Sequence, residues 1–379
     1  MTYLLHPLQS LRDGNWFKLI CGASFQNLPA IRSLTLSYAL AGADCIDVAA
    51  DPAVIFAARE ALQVAGSLAN EARSRGFRPG YPWLMVSLND GEDPHFRKAE
   101  FDPTFCPSDC LRPCESICPA QAIAFSSEGF SGVIDSRCYG CGRCLPICPI
   151  NIIGTRSHRL TPAAIAPLVL TGVDAVEIHT QVGRLEDFAK LWEAIAPQIP
   201  KLKLIAISCP NGEDLIGYLR ALHDLIAPLP CALIWQTDGR PMSGDLGDGA
   251  TRAAVKLGQK VLAADLPGYV QLAGGTNSHT VEKLRVQGLL RGNGGKKAIA
   301  GIAYGSYARA LLSPVLEQLE DQSRHPPILT QTSVHSSTRL EDAPDLLWDC
   351  VHLAHTLISP LKTMPLKPAI PELPLVKLI

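Results

Sequence analysis

The sequence contains no apolar run approaching the roughly 18 residues that a membrane-spanning helix requires, so no integral membrane segment is expected. Its opening, MTYLLHPLQSLRDGNW, lacks the charged start and small-residue cleavage site of a secretory signal. There is no excess of basic charge: 34 Lys and Arg stand against 36 Asp and Glu, for a net charge of −2. That balance gives no electrostatic case for nucleic acid or an anionic membrane surface. The densest basic stretch, between Lys283 and Lys297, reads as a solvated face. Charged residues are only 18% of the chain and hydrophobic ones 47%, which excludes disorder. At 379 residues the chain is long enough for a large core. No low-complexity tract interrupts it. A reduced, cytoplasmic setting is the expectation, and it suits thiolate ligands.

Cysteine, by contrast, is plentiful. Of 13 cysteines, eight fall in one stretch: Cys106, Cys110, Cys114 and Cys118, then Cys138, Cys141, Cys144 and Cys148. The second quartet reads C-x2-C-x2-C-x3-C-P and ends at Pro149, the bacterial ferredoxin run for a 4Fe–4S cluster. Three thiolates a few residues apart can wrap one face of a cubane. Backbone N–H groups of the same tight loop can hydrogen-bond the cluster sulfurs, and the proline turns the chain away. Structural zinc prefers two separated pairs that close a tetrahedron, and disulfides belong to oxidising compartments and small secreted domains. Both fit this pattern less well than a pair of clusters.

The first quartet departs from the run, with spacing C-x3-C-x3-C-x3-C, Pro119 after it, and Pro107 and Pro113 inside it. In such runs the fourth cysteine usually serves the other cluster. Cys106, Cys110 and Cys114 are therefore expected to join Cys148, and Cys138, Cys141 and Cys144 to join Cys118. The wider spacing leaves open that the first cluster is the more labile, or lacks one iron.

Short apolar strands alternate with helix-period stretches through most of the chain. Strands are expected at residues 16–22, 44–49, 83–88, 175–179, 203–208, 231–236, 268–273 and 298–303. The run Leu28–Gly42 has helical spacing and a glycine stop, and Asp51-Pro52 reads as the cap of a long Ala-rich helix. Pro167 should kink or shorten its own helix. Near-continuous apolar strands suggest a parallel sheet buried on both faces. Eight β/α units argue for α/β architecture of the closed (β/α)8, TIM-like kind, with a doubly wound open sheet as the competitor. About 90 residues separate Trp83 from Ala175, roughly 60 more than one repeat of such a barrel. The cysteine segment is thus expected as a two-cluster, ferredoxin-like insertion after the third strand, overhanging the mouth. The expected division is a barrel of residues 16–98 and 158–318, an insertion of 99–157, and a tail of 319–379. That tail comprises a linker, a helix at Asp345–Ile358 and a Pro-rich strap.

Strand ends should converge at the mouth: Cys21, Asp51, Asn89, His179, Cys209 and Asp238. His179 is a possible acid or base, and Cys209 with Asp238 a possible nucleophile and base, with structural roles as the alternative. Cys21 and Cys45 read as small core residues. Two glycine-rich turns follow strands seven and eight and offer Gly274, Gly275, Thr276, Gly305 and Ser306 to a phosphate. Plain turn geometry is the equal alternative. These turns resemble the phosphate half of flavin-binding barrels of the dihydroorotate dehydrogenase type, which implies a phosphate-bearing ligand or FMN. Such barrels carry a lysine at an inner strand position. Lys18 and Lys203 sit too early in their strands to reach the mouth, so none is expected here. The loop Gly239–Val255 offers a cradle for a ligand at its helix start, with a flexible βα connection as the preferred reading.

Long stretches of the chain resemble the light-dependent period (LdpA) family of cyanobacteria. They are HPLQSLRDGNWFKLICGASFQNLPAIR, AGADCIDVAADPAV, GVDAVEIHTQVGR and PMSGDLGDGATRAAV, together with the two quartets in their positions. The resemblance covers most of residues 1–320. It implies an iron–sulfur protein that reports cellular redox state, and hence light, to the circadian clock, with KaiA and CikA as partners. Three functions compete: a redox sensor acting through protein contacts, a flavin- or quinone-linked oxidoreductase, and a simple electron carrier. The missing mouth lysine weighs against the second and the size of the barrel against the third. The expectation is therefore a sensor rather than an enzyme.

Overall fold

Eight parallel strands run in chain order around a closed barrel in the computed structural model, and the last pairs with the first. The structure describes residues 6–21, 28–91, 97–118, 121–125, 131–135, 137–138, 144–157, 162–239, 250–290, 297–324 and 339–362. The barrel strands are β1 (Trp16–Ile20), β2 (Cys45–Ala49), β3 (Trp83–Asn89), β8 (Ala175–His179), β9 (Leu204–Pro210), β10 (Ala232–Asp238), β11 (Tyr269–Ala273) and β12 (Gly301–Tyr304). All eight expected windows contain a strand. The largest shift is at the last, where the hydrogen-bonded strand begins only at Gly301. Closure rests on Trp16 opposite Gly301 and Leu19 opposite Tyr304. A Cβ on Gly301 would lie 2.5 Å from the Trp16 carbonyl oxygen, so this seam requires glycine.

Each barrel strand is followed by a helix, as the β/α alternation predicts. These are α2 (Leu28–Ala41), α3 (Pro52–Ser74), α6 (Pro162–Leu170), α7 (Leu185–Ile195), α8 (Leu215–Ile226), α9 (Ala250–Ala263), α10 (Thr280–Val286) and α11 (Ser306–Arg324). α6 accommodates Pro167 within its nine residues. Alternate strand residues divide between two apolar layers, as the strand period of two demands. Phe17, Leu19, Ile46, Val48, Val176, Ile178, Ile205 and Ile207 face the helices. Trp16, Cys45, Met85, Ala175, Leu204, Ala206 and Ile234 fill the barrel floor, where Leu11 of α1 (Pro7–Asp13) joins them. A last helix, α12 (Pro344–Lys362), lies against α2 and α11 and buries Leu347, Cys350, Val351, Leu357 and Ile358. It is longer at both ends than the expected Asp345–Ile358. The linker expected from about Asp321 begins later, because α11 runs on to Arg324; residues 325–338 and the strap, residues 365–379, lie outside the described residues.

The cysteine-rich segment enters after β3 and leaves before α6, so it is an insertion in the third βα connection. β3 pairs directly with β8, Met85 opposite Ala175, and the insertion supplies no barrel strand. Its two ends are zipped together: β4 (Arg97–Glu100) runs antiparallel to β7 (Gly154–Ser157), with Arg97 opposite Ser157. Between them lie α4 (Pro113–Ile117), α5 (Cys144–Ile147) and a ribbon of β5 (Ile123–Ala124) and β6 (Gly132–Val133).

Candidate metal centre

The first three cysteines of the insertion are placed by short turns. Asp102 caps a 3-10 turn at Pro103–Phe105, its carboxylate accepting from the Thr104 N–H at 2.9 Å, and Cys106 follows. Cys110 closes a turn on Pro107. Arg112, in the left-handed region at φ 53°, redirects the chain into α4, which carries Cys114 and ends at Cys118. The prolines at 107 and 113 thus stand where the chain turns. From the second run, Cys144 opens α5 and Cys148 ends it.

Cys106, Cys110, Cys114 and Cys148 line one concavity, whose remaining wall includes Phe101, Phe125, Pro149 and Ile150. Three cysteines of the first run therefore meet the last cysteine of the second, the grouping that the cross-over rule led us to expect. Backbone N–H groups turn toward sulfur: Arg112 N–H donates to Cys110 Sγ at 3.4 Å. Burial works against a thiolate at Cys148, but the N–H groups of Ile150, Ile152, Ile153 and Asn151 outweigh it and hold the thiol below its ordinary value. Burial pushes the Cys106 and Cys114 thiols up.

Cys138 and Cys144 are buried in the small core of the insertion, with half-buried Cys118 packed against it. Cys141 and Pro119 lie outside the described residues. Ala99 N–H donates to Cys138 Sγ at 3.3 Å and Ala122 N–H to Cys118 Sγ at 3.2 Å. Among the described residues no three Cys, His, Asp or Glu side chains converge as they would on a single ion. Thiols spaced around an apolar concavity, with N–H donors at sulfur, fit a multi-iron cluster.

One side chain ties the insertion to the barrel. Lys98, only 8% exposed, donates to the Cys138 carbonyl at 2.9 Å and to the Asp135 carbonyl. It also lies 3.5 Å from the Asp51 carboxylate. Asp51 caps α3, accepting from the Ala53 N–H at 2.7 Å. The expected Asp51-Pro52 cap is therefore present, and the capping carboxylate faces the insertion.

The other strand-end residues are only partly brought together. Cys21 faces the helix layer, and burial pushes its thiol up to about 12. Asn89 accepts from the Gly91 N–H at 2.8 Å. Cys209 also packs in the helix layer, and Ser208, one residue earlier, bonds Asp238 instead. Ser208 rather than Cys209 is thus the hydrogen-bonded partner of Asp238, although the nearby Asp238 charge adds to burial in raising the Cys209 thiol. Burial raises the Asp238 carboxyl to about 6. His179 Nε2 lies 3.2 Å from Glu177.

The two glycine turns do meet. Thr276 Oγ1 donates to the Ala303 carbonyl at 2.6 Å, with Gly274 and Gly275 at φ 63° and 104°. A Cβ on Gly239 would come within 2.7 Å of the Gly274 carbonyl oxygen. Ser306 opens α11 and its Oγ accepts from Arg309 at 3.2 Å. Most of the loop Gly239–Val255, residues 240–249, lies outside the described residues.

Sequence reasoning missed what fills the upper barrel. Lys18 lies inside it, fully buried, bonded to Glu177 and 3.1 Å from Asp47. Burial opposes its charge, but the two carboxylates outweigh that and hold its ammonium above the ordinary value. Gln236 donates to Glu177 at 2.7 Å, Gln271 to Gln236 at 2.5 Å, and the Trp16 indole to Gln271 at 2.6 Å. The reading of Lys18 as too early in β1 to reach the mouth overlooked that it occupies an inner strand position. Its charge is already matched. The signal was in the alternation, since Lys18, Asp47 and Glu177 each stand two residues after a floor residue.

Comparison with known proteins gives the family. The light dependent period A C-terminal domain matches residues 168–360, and the LdpA Fe–S cluster-binding domain matches residues 106–159. Light dependent period A of Synechococcus elongatus is 49% identical over 357 residues, 94% of each chain. An uncharacterized ferredoxin of Methanocaldococcus jannaschii is 33% identical over 81 residues, covering 18% of this chain and 53% of that one. The tryptophan synthase alpha subunit of Legionella pneumophila superposes with a TM-score of 0.39 at 11% identity, over 94% of this chain and 98% of that one. The chain belongs to the light dependent period A family, and its residues 106–159 are that family's iron–sulfur cluster-binding domain.

Proposed function

We propose that the protein is a redox sensor that conveys cellular redox state, and with it light, to the circadian clock through protein contacts in the cytoplasm. The observation that carries this reading is the concavity in which Cys106, Cys110 and Cys114 meet Cys148. Two 4Fe–4S clusters are assigned, one to those four cysteines and one to Cys118, Cys138, Cys141 and Cys144. When bound, such a cluster supplies a one-electron couple. The residues hold the thiols, direct N–H groups at sulfur and exclude water with Phe101 and Phe125. Two thiols of the first cluster, Cys106 and Cys110, are half-buried, against one described thiol of the second, Cys118, and on that ground we take the first cluster as the more labile.

The barrel of 16–98 and 158–318 serves as the platform, the insertion of 99–157 as the reporter, and 319–379 as a covering tail. KaiA and CikA are the proposed partners. A flavin-linked activity is disfavoured because the inner lysine, Lys18, is engaged by Glu177 and Asp47. Gly274, Gly275, Thr276, Gly305 and Ser306 form a rim suited to a phosphate-bearing ligand such as FMN. A Cβ on Gly305 would meet no atom closer than 3.7 Å, so the turn has room for the first side-chain atom and Gly305→Asp tests that rim by calorimetry with FMN or phosphate.

Affinity for KaiA and CikA, measured with anaerobic protein oxidised and then reduced, tests the sensor. A sensor requires different affinities in the two states, because equal affinity shifts no equilibrium however tight the binding. Equal affinities would end this reading. Cys110→Ser should remove one set of EPR signals and Cys144→Ser the other. Loss of every signal from either change would contradict separate sites.

A further inference from the structure

Lys98 is a buried cation with two claims on it. On one side its ammonium holds the carbonyl of Cys138 at 2.9 Å, and the next residue in β4, Ala99, donates its N–H to Cys138 Sγ at 3.3 Å. On the other it lies 3.5 Å from the carboxylate that caps the first turn of α3. Both Lys98 and Asp51 are withdrawn from solvent, so neither charge is well screened. The fold does not need this contact for closure, because β4 contributes nothing to the barrel sheet.

We propose that Lys98 couples the cysteine site around Cys138 to the N-cap of α3, so that the charge on the one sets the grip on the other. The inference rests on the iron–sulfur reading of that site. Reduction adds one electron from an external one-electron donor, and no covalent bond forms or breaks. The added negative charge attracts the Lys98 ammonium and repels the Asp51 carboxylate. Lys98 therefore favours the reduced state and Asp51 the oxidised state. Linkage makes the effect reciprocal: whatever the pair does to the redox equilibrium, reduction does to the pair. Reduction draws Lys98 toward Cys138 and loosens Asp51, and the first turn of α3 opens more often. Lys98 is a positioning residue in this scheme. It carries a change at the insertion onto the barrel wall, where a partner can read it.

The test uses full-length, cluster-loaded protein reduced by dithionite. Mediated titrations followed by EPR compare the parent with K98M, K98R and D51N. Asparagine caps a helix as well as aspartate does, so D51N removes charge while keeping the acceptor. K98M should lower the midpoint of the Cys138-side cluster, a tenfold change in its equilibrium being about 59 mV for one electron. D51N should raise that midpoint, and K98R should leave it near the parent. Opposite signs are the discriminating feature, since mere loosening of the insertion would move both variants alike. In parallel, hydrogen exchange of residues 51–58 should quicken on reduction, about threefold or more, in the parent and not in K98M. Should K98M fail to hold iron, D51N still decides the matter: a raised midpoint in D51N with K98R unmoved supports the coupling, and a lowered or unchanged midpoint in D51N overturns it. If both clusters titrate and neither the midpoints nor the exchange depend on Lys98 and Asp51, the coupling is overturned and the sensor reading stands. If the parent holds no redox-active cluster, the sensor reading falls, and the coupling with it.

Discussion

Lys18, Asp47 and Glu177 are three formal charges sealed inside the upper barrel. Removing the cation alone leaves two buried carboxylates with hydrogen bonds from Ser87 at 2.7 Å and Gln236 at 2.7 Å, and His179 at 3.2 Å from Glu177. Lys18→Met is therefore expected to destabilise the fold by about 3–5 kcal/mol in denaturant titration, with Lys18→Met/Glu177→Gln recovering part of the loss. A different sign applies to Asp238. Burial raises its carboxyl from 3.8 to about 6, so folding favours the neutral form. Its contribution is fully present below pH about 4 and is lost as pH rises through about 6, an effect of up to about 3 kcal/mol for a group this enclosed. Asp238→Asn never acquires the charge. The stability of the variant relative to the parent should hold constant below pH about 4, climb between pH about 4 and 6, and then level off. A flat difference across that range would show that Asp238 is ordinary. The charges in WFKLI, CIDVA and AVEIH keep step with the floor residues two positions before them, but the sequence does not say which of the two alternating faces points inward.

At the scale of elements the insertion was the most legible feature, and for a physical reason. A β/α repeat has a nearly fixed length, so an excess between two strands locates an insertion without any knowledge of its fold. The cysteine spacing likewise suggested how to group the thiols, since a tight loop can supply only three neighbours to one face of a cluster, and Cys106, Cys110, Cys114 and Cys148 line one concavity. The ribbon of β4 and β7 was not legible. RKAE and GTRS are short and polar, and the 3.5 Å approach of Lys98 to Asp51 is a tertiary contact without a sequence pattern. Because β3 and β8 pair directly, replacing residues 92–161 by a short glycine turn should leave the barrel folded. Thermal unfolding by circular dichroism should remain a single cooperative transition. Loss of cooperativity would mean that the insertion is part of the barrel's core.

The whole molecule is held shut at one seam. β1 hydrogen-bonds to β12, and α12 lies across the neighbouring α2 and α11, with Lys362 reaching Asp44 below β2. Eight β/α units argued for a barrel over a doubly wound open sheet, but the strand order and the closure of β1 on β12 came only with the structure. The role of α12 was not legible, because one amphipathic helix after a Pro-rich linker does not announce which face it covers. The zipped ends of the insertion and the seam of the barrel stand in contrast: one needs only residues close in sequence, the other the first strand and the last. Synthesis is vectorial. When Ser157 has left the ribosome, β4 and β7 have everything they require, while β1 still waits for about 150 further residues, roughly 10–30 s at ordinary elongation rates. The cysteines thus become foldable while the barrel is still an open, incomplete sheet. Iron delivery need not wait for the finished protein, and ribosome-bound chains arrested near residue 200 should already carry iron when isolated without oxygen. If iron appears only in released chains, metal loading follows barrel closure instead.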